Sequence, residues 1–168
     1  MTPRPSPQGV QLVEVLESEK HVLANLWQLY EYDSSEYNDE EFDSNGQFPQ
    51  TAYFDAYWTE PVRHPCFIRR DGLLVGFALA REVEPHKYSI AEFFVARKHR
   101  RSGVGKNAAF SLFDRFRGEW HVAQEEDNVP AQQFWLHVID EYTNSHFERT
   151  VSPAQPKGPK QVFRSRGV

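Results

Sequence analysis

One strand–helix–strand–helix unit placed after an antiparallel hairpin restricts the fold of this sequence more than any other feature. Residues 89–96 form an apolar run typical of a strand, and they lead into a helix that opens near Val104. Residues 119–124 have the alternating side-chain pattern of a second strand. Pro130 then opens a helix whose apolar side chains recur every three or four positions. A doubly wound domain needs several such units. The order therefore predicts a mixed α/β (α+β) fold, with a mostly antiparallel sheet flanked by helices.

The hairpin is predicted by Asp71-Gly72, because a two-residue primed turn needs positive φ at both central positions. Its strands are expected at residues 66–70 and 73–81. Ser18 is predicted to cap a first helix, and Gly118 to end the helix that opens near Val104. The apolar face of the first helix is predicted to contain Val22, Leu23, Leu26, Leu29 and Tyr30. The other expected elements are strands at 10–15, 147–151 and 161–166 and a short aromatic helix within 51–58.

The length and composition indicate one packed domain. The chain has 168 residues, of which 39% are hydrophobic and 14% aromatic, and this composition favours a globule over disorder. Residues 1–9 carry three prolines and no periodicity, so they are predicted to be a flexible N-terminal tail. Residues 10–168 are expected to form a single domain.

Charge and cysteine content exclude several classes of function. The formal net charge is −5, which gives the chain as a whole no electrostatic attraction to nucleic acid or to an anionic membrane. The sequence has no apolar run of about 18 residues and no signal-peptide pattern at its start, so we expect a cytoplasmic protein. The single cysteine, Cys66, is expected to be a buried small hydrophobe. The histidines share no metal-ligand spacing, so no metal site is expected.

The loop between the central strand and its helix, residues 97–106, reads RKHRRSGVGK and places four fixed cations before two glycines. A strand-to-helix turn directs free backbone N–H groups and the positive end of the helix dipole at one spot. Glycines let an anion approach without a Cβ clash. The loop therefore predicts a pyrophosphate site.

Several types of phosphate loop are possible here. A P-loop is excluded, because Arg100 stands where its first glycine would be and Asn107 where its magnesium-binding hydroxyl would be. Gly103, Gly105 and Ala108 fit the dinucleotide-binding pattern G-x-G-x-x-A, but the chain offers only one βαβ unit. A solvated basic turn without a ligand remains a further alternative.

Arg100-x-x-Gly103-x-Gly105 matches the [QR]-x-x-G-x-[GA] signature of GNAT acyltransferases. Together with residues 90–116, PAQQFW at 130–135 and VIDEYTN at 138–144, it resembles a bacterial branch of that superfamily. The resemblance is strongest over residues 89–146 and, through the order of elements, extends over 10–166. It implies the GNAT fold and an acetyl-CoA-dependent N-acetyltransferase that moves an acetyl group directly to a primary amine.

The resemblance also implies roles for particular residues. The backbone of Phe94 and Val95 would hold the pantetheine arm, and Asn128 would contact the pantetheine with Phe134 packed beside it. The family commonly has an acid-capable tyrosine at the position of Trp135, and an indole cannot replace it as an acid. The residues implied to hold the pyrophosphate are Arg100, Arg101, Ser102, Gly103, Val104, Gly105 and Lys106.

The general base and the acceptor are less constrained. Glu92 on the central strand and His121 on the neighbouring strand are the candidate bases. The acidic, tyrosine-containing stretch 31–43 favours a cationic small-molecule amine, such as a polyamine or an amino sugar. A solvated acidic loop, a peptide or protein acceptor, and a non-catalytic acyl-CoA sensor, which Trp135 would suit, remain alternatives. The sequence also leaves the acyl chain and the oligomeric state open, a homodimer among the possibilities.

Overall fold

The computed structural model describes residues 9–168, and the predicted tail, apart from Gly9, lies outside the described residues. The strands are β1 Val10–Glu14, β2 Arg63–Arg70, β3 Leu73–Glu84, β4 Lys87–Val95, β5 Glu119–Ala123, β6 Glu148–Ser152 and β7 Gly158–Arg164. The helices are α1 Lys20–Ser34, α2 Val104–Arg115 and α3 Val129–Thr143. Short 3-10 turns occupy Glu17–Glu19, Asp55–Trp58 and Arg97–His99.

The seven strands form one sheet in the order β1-β2-β3-β4-β5-β7-β6. Only β4 and β5 pair in parallel, and every other neighbouring pair is antiparallel. The β2–β3 turn has φ of 51° at Asp71 and 82° at Gly72, as the hairpin prediction requires. The predicted mixed, mostly antiparallel fold is confirmed. The assignment of 10–168 to a single domain stays a prediction.

Helices cover both faces of the sheet and create two hydrophobic clusters. On one face α2 and α3 bury side chains such as Leu112, Phe113 and Ile139 against Trp120 of β5. On the other face α1 and the turn Asp55–Trp58 pack against β2, β3 and β4. Burying each large apolar side chain contributes about 1.5–3 kcal/mol before entropy is subtracted, so both layers hold the sheet in place.

A β-bulge in β4 reverses which face its side chains point to. Leu79 of β3 pairs with Glu92, whereas the next residue, Ala80, pairs with Ile90, so one extra residue lies between these two in β4. Ile90 before the bulge and Phe93 after it both pack on the α2/α3 face. Glu92 is thereby turned to the α1 face.

Strands β4 and β5 pair over only three residues each, Lys87–Ser89 with Glu119–His121. Within the described residues the ladder does not continue beyond these pairs. The outer half of β4, 90–95, therefore pairs with β3 on one side and leaves backbone groups open towards β5. This opening positions the candidate site.

Three local predictions were wrong. Ser18 lies in the 3-10 turn ahead of α1, and no side chain caps the helix at Glu19. Leu29 is 55% exposed, and Trp27 instead fills the core at 3%. Helix α2 ends at Arg115 rather than at Gly118.

Gly118 has a packing role instead, since a Cβ there would lie 2.0 Å from the carbonyl oxygen of His86. The predicted aromatic helix within 51–58 is reduced to the 3-10 turn Asp55–Trp58. Among residues 9–168, no helix has both the length and the apolarity needed to span a membrane.

Candidate active site

A cavity of about 830 Å³ lies where the outer end of β4 meets the N-termini of α2 and α3 and the C-terminal end of α1. Its walls come from three separate parts of the chain, 30–37, 93–106 and 128–138, which the fold brings together. The predicted cofactor-binding residues that line it are Phe94, Val95, Arg100, Arg101, Gly103, Gly105, Lys106, Asn128 and Phe134.

The N-terminus of α2 forms the part of the cavity that is best suited to an anion. Gly103 precedes the helix with φ of 83°, a left-handed conformation that glycine adopts without strain. The N–H groups of the first turn have no partner within a helix, so they and the helix dipole favour an anion there. A Cβ on Gly105 would lie 3.0 Å from the ring of Phe134, so this glycine also allows α2 and α3 to approach each other.

Arg100 is fixed by two contacts that the sequence did not indicate. Its Nε donates to the carbonyl oxygen of Val95 at 2.7 Å, and its guanidinium also donates to Asp33 of α1. Arg97 donates to Oδ1 of the same carboxylate at 2.8 Å. Burial alone would raise the pKa of Asp33, but these two guanidinium groups hold it below its ordinary value.

Asp33 therefore belongs to the basic loop rather than to the acceptor end of the cavity. Its pairing with both arginines argues against Asp33 as a free acceptor-binding acid, and acceptor binding by the stretch 31–43 stays a prediction. Among the acids of that stretch, Glu36 lines the cavity together with Asp33, and it is exposed.

Two of the predicted pyrophosphate residues point elsewhere. The Ser102 hydroxyl donates to the carbonyl oxygen of His99 at 2.7 Å and accepts from Arg70 at 3.2 Å. Val104 is 1% exposed and packs in the core. Neither lines the cavity, so only their backbone groups could meet a ligand, and their roles stay predictions.

The N-terminus of α3 forms the opposite wall. Asn128 is the N-cap, and its Oδ1 accepts from the backbone N–H of Ala131 at 3.1 Å. Phe134 and Trp135 pack around Phe93, with ring centroids 5.9 Å and 4.9 Å from it. Trp135 is only 6% exposed, so it forms a rigid aromatic wall.

Glu92 lies behind the cavity rather than in its lining. Its Oε2 accepts a hydrogen bond from the hydroxyl of Tyr30, which does line the cavity. Burial raises the pKa of Glu92 to about 7, and the carboxylates of Glu31 and Glu125 act in the same direction. Sequence reasoning placed Tyr30 only in an apolar stripe, because its partner is 62 residues away and leaves no local signal.

His121, the other candidate base, lies where β4 and β5 are still paired, opposite Ser89. Its Nε2 is 2.6 Å from Oε1 of Glu119, and it does not line the cavity. Its catalytic role stays a prediction that nothing in this geometry favours. Within residues 9–168, no group of three or more His, Cys, Asp and Glu side chains could hold a metal ion. Cys66 is 2% exposed, and burial raises its thiol pKa to about 11.

The model of the acetyltransferase (GNAT) family matches residues 25–138, which include the basic loop and most of α1 and of α3. The chain belongs to this family. It is an N-acetyltransferase with the GNAT fold, as the loop signature and the resemblance predicted. A comparison with curated proteins finds no significant match.

Solved structures of GNAT proteins share the fold at low sequence identity. An acetyltransferase from Thermus thermophilus has a TM-score of 0.67 at 14% identity, covering 95% of this chain and 99% of its own. A protein proposed to be a ribosomal-protein-serine acetyltransferase from Vibrio cholerae has a TM-score of 0.63 at 19% identity. The match covers 98% of this chain and 99% of that protein. An aminoglycoside acetyltransferase in complex with coenzyme A has a TM-score of 0.64 at 15% identity. The match covers 92% of this chain and 94% of that protein.

Proposed function

We propose that this GNAT protein transfers the acetyl group of acetyl-CoA directly to a primary amine of a cationic small molecule. The observation that carries the proposal is the cavity itself. It brings a basic loop at the N-terminus of α2, the open edge of β4 and the acidic, tyrosine-containing end of α1 around one space, in which Arg97 of the loop contacts Asp33 of α1. One anionic and one cationic substrate would meet at the centre of such a cavity.

The residues present fit coenzyme A. The side chains of Arg97, Arg101 and Lys106 line the cavity beside the free N–H groups of α2, which suits a pyrophosphate. Among the described residues, the edge of β4 at Phe94 and Val95 has no strand beside it, and its backbone groups other than the Val95 carbonyl, which accepts from Arg100, can hydrogen-bond the amides of a pantetheine arm, as a further strand would. The similarity to an aminoglycoside acetyltransferase in complex with coenzyme A supports the same choice.

Acetyl-CoA supplies an acetyl group activated as a thioester. The protein's own contribution is to hold the amine next to it, because positioning alone can be worth about 7–11 kcal/mol of the barrier. Trp135 closes the wall beside this position and excludes water. Its indole is a donor only, so the proposed reaction does not use it as an acid.

The chemistry of the α1 end favours a cationic acceptor. The carboxylate of Glu36 and the rings of Tyr30 and Tyr37 line this part of the cavity, and both attract ammonium groups. The similarity to an aminoglycoside acetyltransferase supports an amino sugar as the acceptor. A polyamine is also a polycation and suits the same surface. The similarity to the Vibrio cholerae protein supports the second candidate, a peptide or protein acceptor.

An acceptor screen tests the proposal. With saturating acetyl-CoA, release of the thiol is measured for spermidine, kanamycin, ethanolamine and a serine-starting peptide. The polycations are expected to have the lowest KM, and this KM should rise with salt and in Glu36→Gln but not in the exposed control Glu17→Gln. A peptide preferred over both polycations would favour the second candidate. Acetyl-CoA binding without thiol release would instead indicate a sensor.

A further inference from the structure

We propose that the hydroxyl of Tyr30 is a catalytic group that passes the proton of the acceptor ammonium from the cavity to Glu92. This inference rests on the proposed function, because it concerns the amine that the acetyl group would reach. In this arrangement Tyr30 on α1 contacts the substrate, and Glu92 on β4 is the base.

The arrangement of the two side chains carries the proposal. Tyr30 projects from α1 into the wall of the cavity, whereas Glu92 lies on β4 outside the lining. The bulge in β4 turns Glu92 towards α1, where its Oε2 accepts from the hydroxyl of Tyr30. An amine in the cavity would therefore meet Tyr30 before it met the carboxylate.

The ring of Tyr30 is held in one orientation by its neighbours. It packs edge-on against Trp27, Phe77 and Phe94, with ring centroids 5.7, 5.6 and 6.2 Å away. Such packing fixes the hydroxyl between cavity and carboxylate, and a proton relay needs this constraint because each hydrogen bond must already be formed when the proton moves.

The charged surroundings suit Glu92 as the final acceptor. Burial is the main reason that the pKa of Glu92 is raised to about 7; the hydrogen bond from Tyr30 lowers it, and the carboxylates of Glu31 on α1 and Glu125 beyond β5 add to the rise. Tyr57, in the turn Asp55–Trp58, also interacts electrostatically with this carboxylate. Burial and Glu92 raise the pKa of Tyr30 well above its ordinary value, so Tyr30 does not act as a free phenolate.

The proton transfer is balanced without any further reactant. One N–H bond of the ammonium breaks as a new O–H bond forms on Tyr30. The original phenolic O–H bond breaks in the same step, and an O–H bond forms on Oε2 of Glu92. Tyr30 stays neutral throughout, and the amine nitrogen recovers the lone pair that attacks the acetyl carbon. After the product leaves, Glu92 returns its proton through Tyr30 to solvent.

A double-mutant cycle tests the relay. The kcat is measured at saturating acetyl-CoA for the wild type, Tyr30→Phe, Glu92→Gln and the double variant. Each single change is expected to lower kcat about a hundredfold, the low end for proton-transfer catalysis, and the double variant should be no slower than either. In the wild type kcat/KM for the amine should rise with pH to a plateau above about 7, and both single variants should lose this rise.

The control is Tyr32→Phe, a change on the same helix at a side chain that is 60% exposed, and its kcat should match the wild type. Calorimetry should give the same acetyl-CoA Kd for all variants. Tyr30→Phe within threefold of the wild type would overturn the relay alone, as would a double variant about ten-thousandfold slower, because independent losses multiply. A wild type that binds acetyl-CoA but acetylates no amine would overturn the proposed function and the relay with it.

Discussion

At the scale of single residues, Asp33 occupies two guanidinium groups that the proposed function needs for phosphate. Arg97 and Arg100 both donate to its carboxylate, and both line the cavity. Asp33→Asn removes the competing charge, so we expect acetyl-CoA to bind about three- to tenfold more tightly. Calorimetry measures this, with the exposed acid Asp39 changed to Asn as the control. Weaker binding in Asp33→Asn would show that the carboxylate orders the loop instead.

The burial of Glu92 leads to a second prediction at this scale, which concerns the stability of the protein. Its folded pKa, about 7, lies above its ordinary value of 4.5, so the folded state holds a proton that the unfolded state has lost. The free energy of unfolding of the wild type should therefore fall as the pH rises between these values, by at most about 3 kcal/mol. Glu92→Gln lacks this loss and should be the more stable protein at pH 8.

Urea unfolding of both proteins at pH 5 and pH 8 measures the difference. The control is Glu17→Gln, a change at an exposed acid in the turn before α1. Its free energy of unfolding relative to the wild type should be the same at both pH values. If the gap between Glu92→Gln and the wild type were equal at the two pH values, burial would not be destabilising the Glu92 carboxylate.

At the scale of elements, the loop before α2 should bind phosphate through particular cations rather than through its overall charge. Arg101 lines the cavity and Lys98 does not, although both are exposed and belong to the same basic run. We expect Arg101→Ala to raise the acetyl-CoA Kd about tenfold, and Lys98→Ala to change it less than twofold. Equal effects of the two substitutions, measured by calorimetry at one salt concentration, would mean that only net charge matters.

The elements themselves were largely predictable, because their signals are local. Asp71-Gly72 specifies its turn through the φ values of two adjacent residues, and α3 shows its apolar stripe within fifteen residues. Ser18 failed as a cap for a local reason too, since the chain enters α1 through a 3-10 turn that the spacing of apolar residues does not reveal.

The candidate site was predictable only where one segment carries it. The glycine loop is continuous in sequence, and the structure brings most of its residues to the cavity. Tyr30 with Glu92 and Asp33 with Arg100 are pairs separated by 62 and 67 residues, and they meet because β4 and the loop that follows it lie against α1. No periodicity or motif encodes such a contact. Tertiary geometry therefore decides which acid pairs with the loop and which one is in a position for the proposed proton relay.

At the scale of the whole molecule, the sheet divides the two proposed tasks between its faces. On one face α2 provides the N-terminus proposed to bind an anion and α3 the opposite wall, and α1 on the other face provides the acidic end and Tyr30. The separation of β4 from β5 joins these faces through a single cavity. A direct transfer between two bound substrates is the reaction that this arrangement suits.

The central claim is most directly tested by following the acetyl carbon itself. Acetyl-CoA labelled with ¹³C at the acetyl carbonyl is incubated with the wild-type protein and spermidine or kanamycin, and the carbonyl signal is followed by NMR. The account predicts that the thioester signal is replaced by an amide signal at the rate at which thiol appears, and only when protein and amine are both present. A thioester signal that persists while acetyl-CoA is bound, or one that is converted to acetate rather than amide, would contradict it.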